Sequence, residues 1–160
     1  MEFRLPEYNE IPDVGLFLEQ VQRYVASALS PLTNITITGS MISNYVKQSI
    51  IAKPVRKQYF REQIADIIFV AAAKSVLSLD SIRMVIDLQK DTYSPKDAYE
   101  CFRDELTSEI DRLSGNTPAK GRETRNNQYS RLIREISLTI AHKVYLEQVF
   151  EDMKKEREEE

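Results

Sequence analysis

The chain has 160 residues, 42% hydrophobic and 29% charged, a globular balance that excludes wholesale disorder and fits a single domain or a small module with an added element. Four glycines and six prolines are too few turn formers for an all-β sandwich, and the longest wholly apolar run, the seven residues from Ile67 to Ala73, is too short to span a bilayer. The net charge of -3 conceals a division: Gln20 to Arg61 contains no acid and six bases, while the remainder carries a net charge of -9.

In chain order, Asp13 after Pro12 suits a helix N-cap, followed at helical spacing by Leu16, Phe17, Gln20, Val21, Tyr24, Val25 and Ala28. Ser30-Pro31 ends that helix, and Leu32 to Ile37 reads as a loop. Thr38 caps a short helix ending near Gln48. Residues 50–60, with Pro54 and the β-branched Ile50, Ile51 and Val55, suit a short extended hairpin. From Arg61 to Leu77 apolar residues occur nearly all round, the pattern of a buried central helix. Ser78 caps the next helix, with Leu79, Ile82, Val85 and Ile86 on one stripe. Ser94-Pro95-Lys96-Asp97 is a strong helix start, and Ser114-Gly115 its stop. Residues 116–127, with Pro118, Gly121, Lys120, Arg122 and Arg125, read as a polar linker. A long helix is expected from Gln128 to about Lys155, before a frayed acidic tail from Glu156 to Glu160.

Chemistry is mostly excluded by what is missing. One cysteine, Cys101, and one histidine, His142, cannot build a Cys/His zinc site. No dinucleotide fingerprint, P-loop, zincin motif or EF-hand loop occurs, and no acid–base pair stands out among 25 carboxylates. The expectation is a protein that is not an enzyme and holds no cofactor or metal. MEFRLPEYNE has acids and a proline where an export signal needs an apolar stretch, so the chain reads as cytoplasmic, with no membrane partner. Cys101 reads as a small buried hydrophobe and His142 as a surface or interface histidine. Tyr93, Tyr99, Tyr129 and Tyr145 suit core packing better than an effector pocket.

The constellation that carries chemistry is the helix after Thr38. Ile42, Tyr45, Val46 and Ser49 fall on one side, and Ser40, Ser43, Asn44 and Lys47 on another, with Gln48 beside them. Asn and Gln bond adenine through paired hydrogen bonds, Lys reaches guanine, and Ser fits either, so the second set is a candidate base-facing stripe. Lys53, Arg56 and Lys57 follow on the extended element; with Arg23 and Arg61 they are the candidate phosphate contacts. A helix in the major groove beside a basic hairpin on the backbone is a winged helix-turn-helix arrangement.

Thr38 to Ile51, TGSMISNYVKQSII, is similar to the recognition helix and following turn of MerR-type regulators, with Tyr45, Ser49, Ile50 and Ile51 at the family's spacing. Lys57 and Tyr59 match two positions of that family's wing, Ile64 begins its apolar helix, and Leu77 to Ile82 resembles its turn into the fourth helix. The likeness covers Thr38 to Leu88. Ser43 stands where those regulators commonly carry arginine, and metal sensing is not implied for a chain without their cysteines. Most of the chain, including Leu5 to Asp13, more closely resembles an uncharacterised family of small MerR-like domains from Gram-positive bacteria.

These readings converge on an all-α protein: a MerR-like winged helix-turn-helix with a short β wing over residues 1–90, then a C-terminal helical hairpin over 91–160. The expected function is sequence-specific binding of double-stranded DNA as a transcriptional regulator, with an unknown small-molecule effector. The final helix, with apolar Ile133, Ile136, Ile140, Val144 and Tyr145 on one seam and Leu138, Leu146 and Val149 off it, is the candidate homodimer element. The alternative is a helical protein–protein interaction module that keeps the fold without binding DNA.

Overall fold

The computed structural model describes residues 3–32, 34–116 and 126–160. Among these residues six α-helices follow a short 3-10 turn at Tyr8–Glu10: α1 Leu18–Leu29, α2 Gly39–Lys47, α3 Arg61–Ala73, α4 Leu79–Thr92, α5 Pro95–Leu113 and α6 Gln128–Glu158. The all-helical class stands, and no strand forms among the described residues. The expected β wing is reduced to two isolated antiparallel bridges, Val55 with Gln58 and Leu16 with Tyr59. The linker at Lys120, Arg122 and Arg125 lies outside the described residues.

Local chemistry explains most of the helix starts. The hydroxyls of Thr38, Ser78 and Ser94 accept the backbone N–H groups of Met41, Ser81 and Asp97 at 3.2, 3.2 and 3.1 Å, each satisfying a donor that the first turn leaves open. Gly115, at φ 81°, ends α5 in the left-handed conformation a glycine adopts without penalty. Asp13 does not cap α1, which starts five residues later behind Phe17. Its carboxylate instead accepts the backbone N–H of Arg61 at 3.0 Å and so caps α3. α3 stops at Ala73, short of Leu77; the Ser75 hydroxyl donates to the Ala72 carbonyl at 2.7 Å, a bond that competes with the helical ladder.

α3 is the centre of the molecule. Ile64, Ile67, Ile68 and Val70 are fully buried, each worth about 1.5–3 kcal/mol of removed apolar surface. It packs against α1, α5 and α6. The segment ahead of α1 is strapped over this core: Leu5 and Ile11 are fully buried, Tyr99 donates to the Pro6 carbonyl at 2.6 Å, and Arg103 to the Leu5 carbonyl at 3.0 Å. Tyr99 and Tyr129 are core residues, and Tyr93 packs edge-on against Tyr129 with ring centroids 4.8 Å apart. Tyr145 stays on the surface at 43% exposure, and Cys101 is half-buried.

The expected C-terminal hairpin is not formed: α5 and α6 run parallel. Tyr93, at the head of α5, accepts a hydrogen bond from Asn127, the N-cap of α6, at 3.0 Å. Toward their other ends, Glu109 of α5 meets His142 of α6 at 3.2 Å. A hairpin needs only a short connection. A parallel pair needs one that spans α5, about 28 Å long, and residues 117–125 of this connection lie outside the described residues. At 31 residues, α6 is about 46 Å long and outruns its neighbour. It continues to Glu158, past the expected fraying point. Spaced side-chain pairs, Lys143 with Glu147, Gln148 with Asp152 and Lys154 with Glu151, support its last turns.

Candidate nucleic-acid interface

α2 is held from its inner face. Ile42 and Tyr45 are buried, while Ser40, Ser43, Asn44 and Lys47 are exposed and line one open groove with Leu18 and Gly39. The expected stripe is therefore assembled, save for one member. Gln48 is exposed, but its backbone and side-chain oxygens accept the Arg83 guanidinium at 3.0 and 3.4 Å, and Arg83 also pairs with Asp80 at 3.3 Å. That contact places a cation at the carbonyl end of α2, where the helix dipole favours it, and ties α2 to α4. Gln48 is thus a strut more than a free reader. Arg83 could not be found from the sequence because it lies 35 residues away.

Beyond α2 the chain reverses at Ser49, which has φ 61°, and re-enters the core through Ile50 and Ile51, whose N–H groups both donate to the Tyr45 carbonyl. The next reversal is a two-residue turn with Arg56 at φ 52° and Lys57 at φ 66°, closed by reciprocal hydrogen bonds between Val55 and Gln58 at 3.0 and 2.9 Å. Two successive left-handed residues define the turn that best fits strand twist, normally filled by Asn-Gly. Two long cations in that conformation cost about 1–2 kcal/mol each. The turn is anchored on α3: the Gln63 amide donates to the carbonyls of Ala52 and Lys53 at 3.0 and 2.9 Å and accepts the Phe60 N–H at 2.8 Å. The sequence signal for Gln63 is its place three residues after the α3 N-cap, Phe60, a capping-box position. Gly15, at φ 86°, lets the strap cross here, since a Cβ would lie 3.0 Å from the Gln58 side chain.

Arg23, Lys53, Arg56 and Lys57 are all exposed, and among the described residues neither they nor Lys47 form an ion pair. Arg23 and Lys57 line a second groove with Phe17, Leu18, Glu19, Gln20, Pro54 and Tyr59. Glu19 is an acid that the sequence window stopped one residue short of. Arg61 does not join the cationic face. Its guanidinium donates to the Ile11 and Asn9 carbonyls at 2.9 and 3.1 Å, stands 3.9 Å from Asp13 and lies over the Tyr8 ring. It clamps the strap to α3, and a fork so engaged is not available to a phosphate.

No group of His, Cys, Asp and Glu among the described residues could hold a metal, and no helix among them is long and apolar enough to cross a membrane. Glu109 is buried, with the exposed Arg112 and His142 beside it as structural partners; the Arg112 hydrogen bond, then His142, holds its carboxyl below the usual range. Asp66 is different: burial against α4 pushes its carboxyl up to about 6, opposed by the Gln89 amide at 3.2 Å.

Compared with known families, residues 6–102 match the model described as Domain of unknown function (DUF1836). No curated protein and no solved structure matches the chain. The uncharacterised family is as expected, but the resemblance to MerR-type regulators is overturned: the matching model is this domain and not a MerR one. The residues that suggested MerR have a local reason for their spacing. Tyr45, Ser49, Ile50 and Ile51 are what a short helix needs to end in a left-handed residue and plunge back into a core.

Proposed function

The chain belongs to the DUF1836 family, and we propose that its α2–turn face binds double-stranded DNA sequence-specifically, as a regulator of transcription rather than an enzyme. In this reading α1 and α2 form a helix-turn-helix and the Val55–Gln58 turn serves as a minimal wing. Ser40, Ser43, Asn44 and Lys47 face base edges. Arg23, Lys53, Arg56 and Lys57 face phosphates, with Gln48 and Arg61 positioning the elements that carry them. The observation that supports it most is an exposed hydroxyl–amide–lysine stripe in a groove that adjoins, at Leu18, the groove of Arg23 and Lys57, with Lys53 and Arg56 exposed in the same turn segment, in a protein whose net charge is -3. Base-reading groups without phosphate contacts give no affinity, and cations without them give no specificity.

A single short helix covers one half-site, too little for specificity in a genome. The reading therefore includes a homodimer through α6, supported by its exposed Leu146, Phe150 and Met153, at 51%, 56% and 47% exposure.

The test is duplex binding against salt. Four phosphate-facing cations on each chain give a log–log slope of about -4 per protomer, or about -7 for the dimer. A flat salt response, or no binding at low ionic strength, removes the proposal and leaves a protein-interaction module.

A further inference from the structure

Phe17 is out of place for an aromatic side chain. Its spacing assigned it to the buried stripe of α1, yet it precedes the helix and is 52% exposed. Leu18, the first residue of α1, is only partly covered. These two apolar side chains stand on the ridge between the α2 groove and the groove of the cationic turn. Leu18 lines both grooves, and Phe17 lines the second beside Arg23 and Lys57. Gly39 keeps Leu18 uncovered: a Cβ there would sit 3.6 Å from the Leu18 Cδ2, so a larger residue would lie over it. The glycine is not in a left-handed conformation, so backbone freedom is not its role at this position.

We infer that Phe17 and Leu18 form an apolar seat for the 5-methyl group of a thymine. This deepens the DNA-binding reading and rests on it. Among the groups a base pair shows in the major groove, the thymine methyl is the apolar one, and side chains read it by apolar contact. Ser40, Asn44 and Lys47 bond donors and acceptors on base edges; they have no means of telling thymine from uracil. A seat of carbon beside them supplies that discrimination. Arg23 and Lys57 flank it against the one carboxylate of Glu19, which leaves the groove net positive, as suits a groove wall where bases give way to phosphates, and this charge favours DNA over an apolar protein partner.

The experiment uses the full chain. A preferred duplex is selected from a random pool, and each thymine is then replaced by uracil, which removes the methyl and leaves pairing intact. At one thymine or more, the replacement weakens binding about three- to fivefold, the value of one buried methyl, with the salt slope unchanged. Phe17→Ser, at an exposed position, and Leu18→Ala both abolish the difference between the two duplexes. If the native protein binds the selected duplex and every uracil is neutral, the methyl seat is wrong while DNA binding stands. Discrimination that persists in both variants also overturns it, since the methyl is then read elsewhere. Failure to bind any duplex at low salt overturns the DNA reading and the seat with it.

Discussion

Two exposed regions of this molecule break the usual division of apolar inside and polar outside, in opposite ways. The α2–turn face is a helix whose inner side is fully used and whose outer side is small, polar and cationic, with two cations held in a costly left-handed turn. The far end of α6 has no buried residue after Ala141, and carries Tyr145, Leu146, Phe150 and Met153 in the open among acids. The first lies within the segment that matches the family model, and the second lies outside it. A rigid polar face suits a charged, hydrogen-bonding target. An uncovered apolar helix end suits another protein surface, because a few turns of helix without a packed face are marginal in water. The two regions can therefore be separated by experiment.

The largest effect is expected at α6. Leu146→Asp with Phe150→Asp puts two charges on the stripe, and self-association weakens at least about 100-fold. Light scattering after size exclusion reads this as a fall from twice 18.6 kDa to that mass. A native protein that is already monomeric at high concentration rejects the pairing and leaves the α2 face untouched.

The turn gives the next effect, and its sign differs between two measurements. Arg56→Asn with Lys57→Gly installs the residues that a left-handed pair prefers, so thermal stability rises by about 1 kcal/mol. The same change removes two phosphate contacts from each chain, so for each protomer duplex affinity falls about 50-fold at 0.1 M salt and the slope loses about two units. A variant that is more stable and binds equally well would show that these cations stand at the turn for another reason.

The smallest effect lies between the two regions, where Asp66 of α3 accepts the Gln89 amide and Gln89 accepts the Tyr129 hydroxyl at 3.3 Å. Because its folded pKa of about 6 is above the ordinary 3.8, the Asp66 contribution to stability is full below about pH 4 and is lost as pH rises to about 6. Asp66→Asn then raises stability at pH 7 by about 1–2 kcal/mol and leaves it unchanged at pH 4. Denaturant melts at the two pH values check this, with DNA affinity and molecular mass unmoved.

Much of the helical plan was legible because it is written in contacts within four residues. Thr38, Ser78 and Ser94 cap what they were expected to cap, and the all-round apolar pattern of α3 marked the central helix correctly. The exposed stripe of α2 followed from helical spacing alone. The readings that changed involve distant partners. Asp13 looked like the cap of the helix just ahead of it and caps one 48 residues on; Arg61 looked like a free cation and is the clamp of the strap. Phe17 had the spacing of a core residue, and only the position where α1 starts put it outside.

By itself, then, the sequence determined that helices fill the chain, where α2, α4 and α5 begin, which helix is buried on every side, and that one stretch is free of acids. Those properties come from backbone caps, side-chain periodicity and charge, all set by near neighbours. Only the tertiary structure decided that α5 and α6 are parallel, that Arg83 holds the end of α2, that Gln63 anchors the turn, and that the end of α6 is left uncovered. Each of these depends on which surfaces meet after the chain has folded back on itself, and no local preference encodes a partner that is dozens of residues away.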